Sequence, residues 1–180
     1  MITAFHLIAS NNIDLTVDLT NDLSNRDVLE GYDMKTKINY STASTKGIKW
    51  LAQGKEHLIY SAGMRIHGMV TPDFKKVVVI YPPGHPEFPS PHNAVVYNEN
   101  GTVHLILACP EPISELIKKS TRYLRYRQQT KLYIVGAVWK RNEQGDVVMA
   151  VNIEFDDEYY ETRELNYATG AFGACLSSGK

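Results

Sequence analysis

Six histidines, two cysteines and a dense C-terminal mixture of acids and tyrosines are the residues with which this 180-residue chain can do chemistry. His57, His67 and His104 fall in stretches that read as strands, where two of them can meet as an acid–base pair of a hydrolase; isolated strand histidines otherwise serve as half-buried structural residues. His85 and His92 share a proline-rich stretch with Glu87. Their seven-residue separation on an irregular loop matches no metal-ligand spacing, and a zinc site needs firmer spacing and further histidines or cysteines. No Gly-rich phosphate loop, nucleophile elbow or zinc-binding His/Glu helix is present, so neither a cofactor nor a catalytic set is expected.

Two charged runs remain. Arg122-Tyr123-Leu124-Arg125-Tyr126-Arg127 interleaves guanidinium groups with rings, a pattern that can neutralise phosphates and stack on bases. The plainer reading is a solvated helix face with tyrosines at its edge. Near the C-terminus, Glu154, Asp156, Asp157, Glu158, Glu161 and Glu164 put six carboxylates within eleven residues, with Tyr159 and Tyr160 among them. Such a cluster must be solvated or matched by an outside cation, and aromatic residues mark the energetic centres of interfaces. Glu154, Asp156, Asp157, Glu158, Tyr159, Tyr160 and Glu161 are therefore the candidate partner-binding residues. The plainer alternative is a charged hairpin end that keeps a sheet edge from pairing with other chains.

The elements that position these residues follow from periodicity. Val147, Met149, Val151, Ile153 and Phe155 alternate with more polar neighbours, the signature of a strand with one buried face. It pairs with Leu132 to Trp139 across Asn142-Glu143-Gln144-Gly145. Ala94 to Tyr97 and Thr102 to Leu107 form a second hairpin around Asn98-Glu99-Asn100-Gly101. Val77 to Tyr81 is a β-branched strand ending at Pro82-Pro83, and residues 82 to 91 hold five of the eight prolines, which predicts a stiff exposed loop. His57 to Met64 and Ile66 to Val70 read as short strands, with Gly68 a candidate bulge. Thr42 to Gln53 reads as a short helix stopped by Gly54. Ile113 to Gln129 reads as the main amphipathic helix, capped by Ser114, with Ile113, Leu116, Ile117, Tyr123 and Leu124 buried. The C-terminal stretch reads as an irregular tail.

Residues 1 to 33 carry six acids against one base, Arg26, and read as an acidic hairpin turning at Asn11-Asn12. They belong to one domain spanning 1–180 or extend a core of 34–180. The expected fold is α+β, an antiparallel sheet built from hairpins with one main helix on a face. A hydrophobic content of 43% with 22% charged residues suits a globular protein, and a net charge of −1 argues against bulk attraction to nucleic acid or membrane. Cys109 and Cys175, 66 positions apart, suit reduced thiols. With no signal-like or membrane-spanning run, a soluble cytoplasmic protein is expected.

The C-terminal segment resembles the end of immunity proteins from bacterial contact-dependent growth inhibition and related polymorphic toxin systems. The resemblance rests on Asp156-Asp157, Tyr159-Tyr160-Glu161, Arg163, Leu165, Thr169-Gly170 and Ser178-Gly179, about a sixth of the chain. It implies a non-enzymatic protein that binds a co-encoded toxin domain, often a nuclease, and blocks its active site or substrate surface. An acidic inhibitor can mimic the phosphates such a nuclease binds. The alternatives from other classes are an RNA- or DNA-binding module using helix 113–129 and a histidine-dependent hydrolase.

Overall fold

The computed structural model describes residues 1–20, 29, 31–41, 43–61, 63–120, 123 and 131–180. Over these the chain forms three four-stranded antiparallel sheets. The first contains β1 (Ile2–Ala9), β2 (Asp14–Val17), β3 (Thr45–Ala52) and β4 (Lys55–Tyr60) in the order β2-β1-β3-β4. The second runs in sequence through β5 (His67–Val70), β6 (Lys76–Ile80), β7 (Ala94–Asn98) and β8 (Val103–Leu107). The third likewise holds β9 (Leu132–Arg141), β10 (Val147–Phe155), β11 (Tyr159–Asn166) and β12 (Ala171–Gly179). Two short helices accompany them, α1 (Met34–Ser41) and α2 (Glu115–Lys118).

Local turn chemistry builds most of this. In the β7–β8 and β9–β10 hairpins an Asn carbonyl accepts from a left-handed glycine three residues on: Gly101 N donates to Asn98 O at 2.9 Å and Gly145 N to Asn142 O at 3.0 Å. Glycine takes that conformation without a Cβ clash. The opening hairpin also forms, with Asn12 at φ 65. β1 lies between β2 and β3, so the first strand is hydrogen-bonded on both edges.

Three expectations are corrected. The span expected as a helix, Thr42 to Gln53, is a strand over its described part from Thr45 to Ala52: Thr45, Ile48, Trp50 and Ala52 are buried in β3, and Gln53-Gly54, both at positive φ, turn it tightly into β4. The residues after Tyr159 form two regular strands in place of an irregular tail. The single main helix over Ile113 to Gln129 is not continuous: the described helical residues are those of α2 and Tyr123, with a break at Lys119-Ser120; Ile117 and Tyr123 are buried as predicted, whereas Ile113 and Leu116 are exposed. Leu124 and most of the basic run, including Arg122, Arg125 and Arg127, lie outside the described residues.

All three sheets contribute to one hydrophobic cluster, with Phe5, Ile48 and Trp50 from the first, Val77 to Ile80 and Val95 from the second, and Ile134, Met149, Ile153 and Phe155 from the third. Gly68 forms no bulge; β5 and β6 pair in unbroken register there. A Cβ at Gly68 would sit 2.3 Å from Ile48 Cδ1, so the missing side chain lets the first sheet press against the second. Buried polar groups then fix the sheets to one another. Trp50 Nε1 donates to Glu99 O at 2.8 Å, and Trp139 Nε1 donates to Val70 O at 2.7 Å. Fully buried Asn93 donates to Tyr81 O and Ile134 O, both at 2.7 Å, and accepts from Ile134 N at 3.0 Å.

That three-bond amide clamp yields a prediction. Asn93→Ala leaves buried backbone groups unpaired and lowers stability by about 3 kcal/mol. Asn93→Asp, of the same shape but unable to donate, is also destabilising; urea denaturation of the two variants measures both effects.

Candidate functional site

Each acid in the candidate segment takes its orientation from strand alternation. β10 ends at Phe155, and Asp156 and Asp157, at φ 58 and 57, make two consecutive left-handed residues before β11 starts. Aspartate tolerates that region better than most residues. Glu158 N closes the turn on Phe155 O at 3.3 Å, and Asp156 N donates to Lys131 O at 2.9 Å. Tyr133, Glu154 and Tyr160 stand opposite one another across β9, β10 and β11, so they form a row on one face. Tyr160 is 41% exposed and lies over Gly179, where a Cβ would meet its ring at 2.7 Å. Asp157 is exposed, while Glu154, Asp156, Glu158 and Tyr159 are half-buried.

The chain supplies part of the counter-charge itself. Lys131 Nζ lies 2.7 Å from Asp157 and Lys180 Nζ 2.5 Å from Glu158, with the Lys180 ammonium also 5.6 Å from the Tyr159 ring centre. The Tyr133 hydroxyl donates to Asp157. Burial, reinforced by Asp157 and Glu154, pushes that phenol well above its ordinary range, so it stays protonated.

Glu161 behaves differently from its neighbours. Tyr160 points outward, so Glu161 points in, and it is fully buried. Its carboxylate accepts from Ile113 N at 2.9 Å and Ser114 N at 2.6 Å, and lies 3.4 Å from the guanidinium of buried Arg163. Arg163 Nε in turn donates to Gly173 O at 2.9 Å. The entry to α2 is thus capped from β11, while the Ser114 side chain makes no capping bond. The carboxylate expected at the surface is occupied inside the molecule.

The histidines do not assemble. His67 and His104 lie on β5 and β8, the two outer strands of one sheet, about 14 Å apart at ordinary strand spacing. His57 stacks on Trp50 at 5.5 Å, and His104 Nε2 bonds Ala168 O at 3.0 Å. His85 Nδ1 accepts from Glu87 N and Phe88 N at 3.3 and 3.2 Å, and its ring packs against Tyr81 and Phe88. Among the described residues, no group of three or more His, Cys, Asp or Glu side chains is arranged to hold a metal ion. Cys109 and Cys175 are free thiols; burial, then Glu111 and Glu161, pushes Cys109 up to about 12, so it is no thiolate at neutral pH. No helix among the described residues is long and apolar enough to cross a membrane.

One feature had no sequence signal. A cleft of about 180 Å³ is lined by Arg65, His67, the Ile80–Pro83 stretch and the start of β9 from Tyr133 to Val135. The Ile80–Pro83 stretch and the β9 residues are fifty or more positions apart, and only the sheet packing joins them.

No family model matches the chain, and no curated protein matches its sequence. Among solved structures, a chain from the structure described as Tne2 in complex with Tni2 is similar in fold. The TM-score is 0.66 at 10% sequence identity, covering 99% of this chain and 100% of that one. At that identity the likeness shows a shared fold from end to end.

Two predictions arise from this geometry. Glu161→Ala strands the buried Arg163 guanidinium and two backbone N–H groups and costs about 3–5 kcal/mol, measurable by thermal or urea unfolding. The second concerns His67, whose pKa is lowered by burial and then by Arg65. The unfolded chain takes up this proton near pH 6.5 and the folded chain only at lower pH. Stability therefore falls as pH drops below about 6.5 until the folded form also protonates. His67→Gln removes that slope from a pH series of urea denaturations.

Proposed function

We propose that the chain is an immunity protein that binds a co-encoded bacterial toxin domain, a nuclease, and neutralises it by stoichiometric occlusion. The observation that carries this reading is the β10–β11 end, where Glu154 stands opposite outward-facing Tyr160 and Asp156, Asp157 and Glu158 form the turn between the two strands. A nuclease needs a cationic cleft for phosphates, and carboxylates at a strand end beside aromatic rings offer that cleft both charge and contact area. The lysines at Asp157 and Glu158 are side chains on the same surface, so an incoming cation can exchange with them without unpaired charge being left buried. The fold likeness to a chain solved within a two-protein complex, Tne2 with Tni2, supports a protein partner. The C-terminal resemblance to immunity proteins supports the same class. In this reading the chain carries out no catalysis and works in the cytoplasm, where the toxin would act.

The test uses the toxin domain encoded beside this chain. A one-to-one complex should form, and toxin activity should fall to nothing at equimolar protein. Neutralising Asp157 and Glu158 to amides should slow association and flatten its salt dependence, because such charges act through encounter. Tyr160→Ala should shorten the lifetime of the complex by an amount worth about 2 kcal/mol. A matched melting curve separates loss of contact from loss of fold. Failure of the wild-type protein to bind the neighbouring toxin domain would sink the proposal.

A further inference from the structure

The acidic hairpin end and the apolar cleft share a wall. Tyr133 lines the cleft, and its hydroxyl donates to Asp157. Val135, two residues on, is the extra residue of a β-bulge: Gly136 pairs with Asn152 and Ile134 with Ile153, leaving Val135 without an opposite number. Bulges re-aim side chains, and here the irregularity falls where β9 passes the cleft. Pro82 and Pro83 form part of the facing wall, held by ring closure in a conformation that loses little entropy on contact.

Size and polarity decide what the cleft can take. At about 180 Å³ it is smaller than the roughly 300–1,000 Å³ typical of cofactor and drug-sized ligand sites, and it suits one aliphatic or aromatic side chain. Ile80, Pro82, Pro83 and Val135 offer it apolar surface. Charge fixes the surroundings: Arg65 in the lining repels a cation, while Glu154, opposite Tyr133, and Asp157, which accepts from the Tyr133 hydroxyl, attract one. We infer that the cleft receives an apolar side chain carried on a basic segment of the partner protein, whose cations lie along Glu154 and the Asp157 turn. This rests on the reading of the chain as a toxin-binding protein and names the anchor of that contact.

The experiment titrates the isotopically labelled full-length protein with three peptides at low-millimolar concentration, reading methyl and amide NMR shifts. The peptides are acetyl-Lys-Leu-Lys-amide, acetyl-Lys-Ser-Lys-amide and acetyl-Glu-Leu-Glu-amide. The leucine peptide with lysines should saturate shifts at the Val135 methyls and the Tyr133 and Asp157 amides. The serine peptide should leave Val135 unmoved, and the glutamate peptide should bind at least about tenfold more weakly. Val135→Lys should abolish the leucine-dependent shifts, with Pro83→Lys as the second variant if the first fails to fold. Equal responses to all three peptides, or none at Val135, would overturn the proposal. With the toxin domain, wild-type affinity in a folded Val135→Lys protein would overturn the cleft while leaving the toxin-binding reading intact. Failure of the wild-type protein to bind the toxin, with the peptide shifts present, would overturn that reading and leave the cleft as a peptide site.

Discussion

The side-chain amide of Asn93 is the interaction on which the arrangement of the second and third sheets depends. A buried amide that finds only some of its partners costs more than it contributes, so its three bonds to Tyr81 and Ile134 act as a positional test. Hydrophobic burial favours stacking the sheets but leaves them free to slide, since apolar contact has no direction. The amide removes that freedom. Because Ile134 lies between Tyr133 and Val135, the same clamp sets where the acidic row and the cleft stand relative to the proline-rich loop.

Charge is divided in the same directional way. Along β11 the alternation of a strand sorts two adjacent residues into opposite environments: Tyr160 to solvent, Glu161 to the interior. A buried carboxylate has to be matched from inside, and Arg163 with the backbone of Ile113 and Ser114 does so. This couples the C-terminal sheet to the start of α2, a segment nearly fifty residues earlier. The acids left outside form a narrower surface than a count of carboxylates suggests: apart from Glu164 on β11, they lie in the β10–β11 turn and at Glu154 on the outward face of β10.

What could be read from the residue order was what depends on near neighbours. The Asn-to-Gly loops at 98–101 and 142–145 and the alternation of Val147 to Phe155 were legible because turn conformation and one-sided burial leave local traces. β11 left none: its inward face carries Glu161 and Arg163, so hydrophobic alternation fails on a strand whose interior side is an ion pair. β3 reads as a helix from sequence because Ile48, Trp50, Leu51 and Ala52 crowd together, and only the sheet shows that Leu51 faces outward. Of the candidate site, the acidic turn was visible and the Tyr133 wall was not. Its two sides meet through packing between β9 and the end of β6, with no motif to announce it.

The gap left by Gly68 ties two distant positions into one unit of sequence change. Ile48 Cδ1 occupies the space where a side chain at 68 would start, so even alanine there collides unless residue 48 is shortened at the same time. Either change alone opens a void or forces an overlap, whereas the pair together can keep the volume. Sequences that share this sheet-on-sheet contact are therefore expected to vary at 48 and 68 in concert, leaving a covariation trace that links the N-terminal sheet to the middle one.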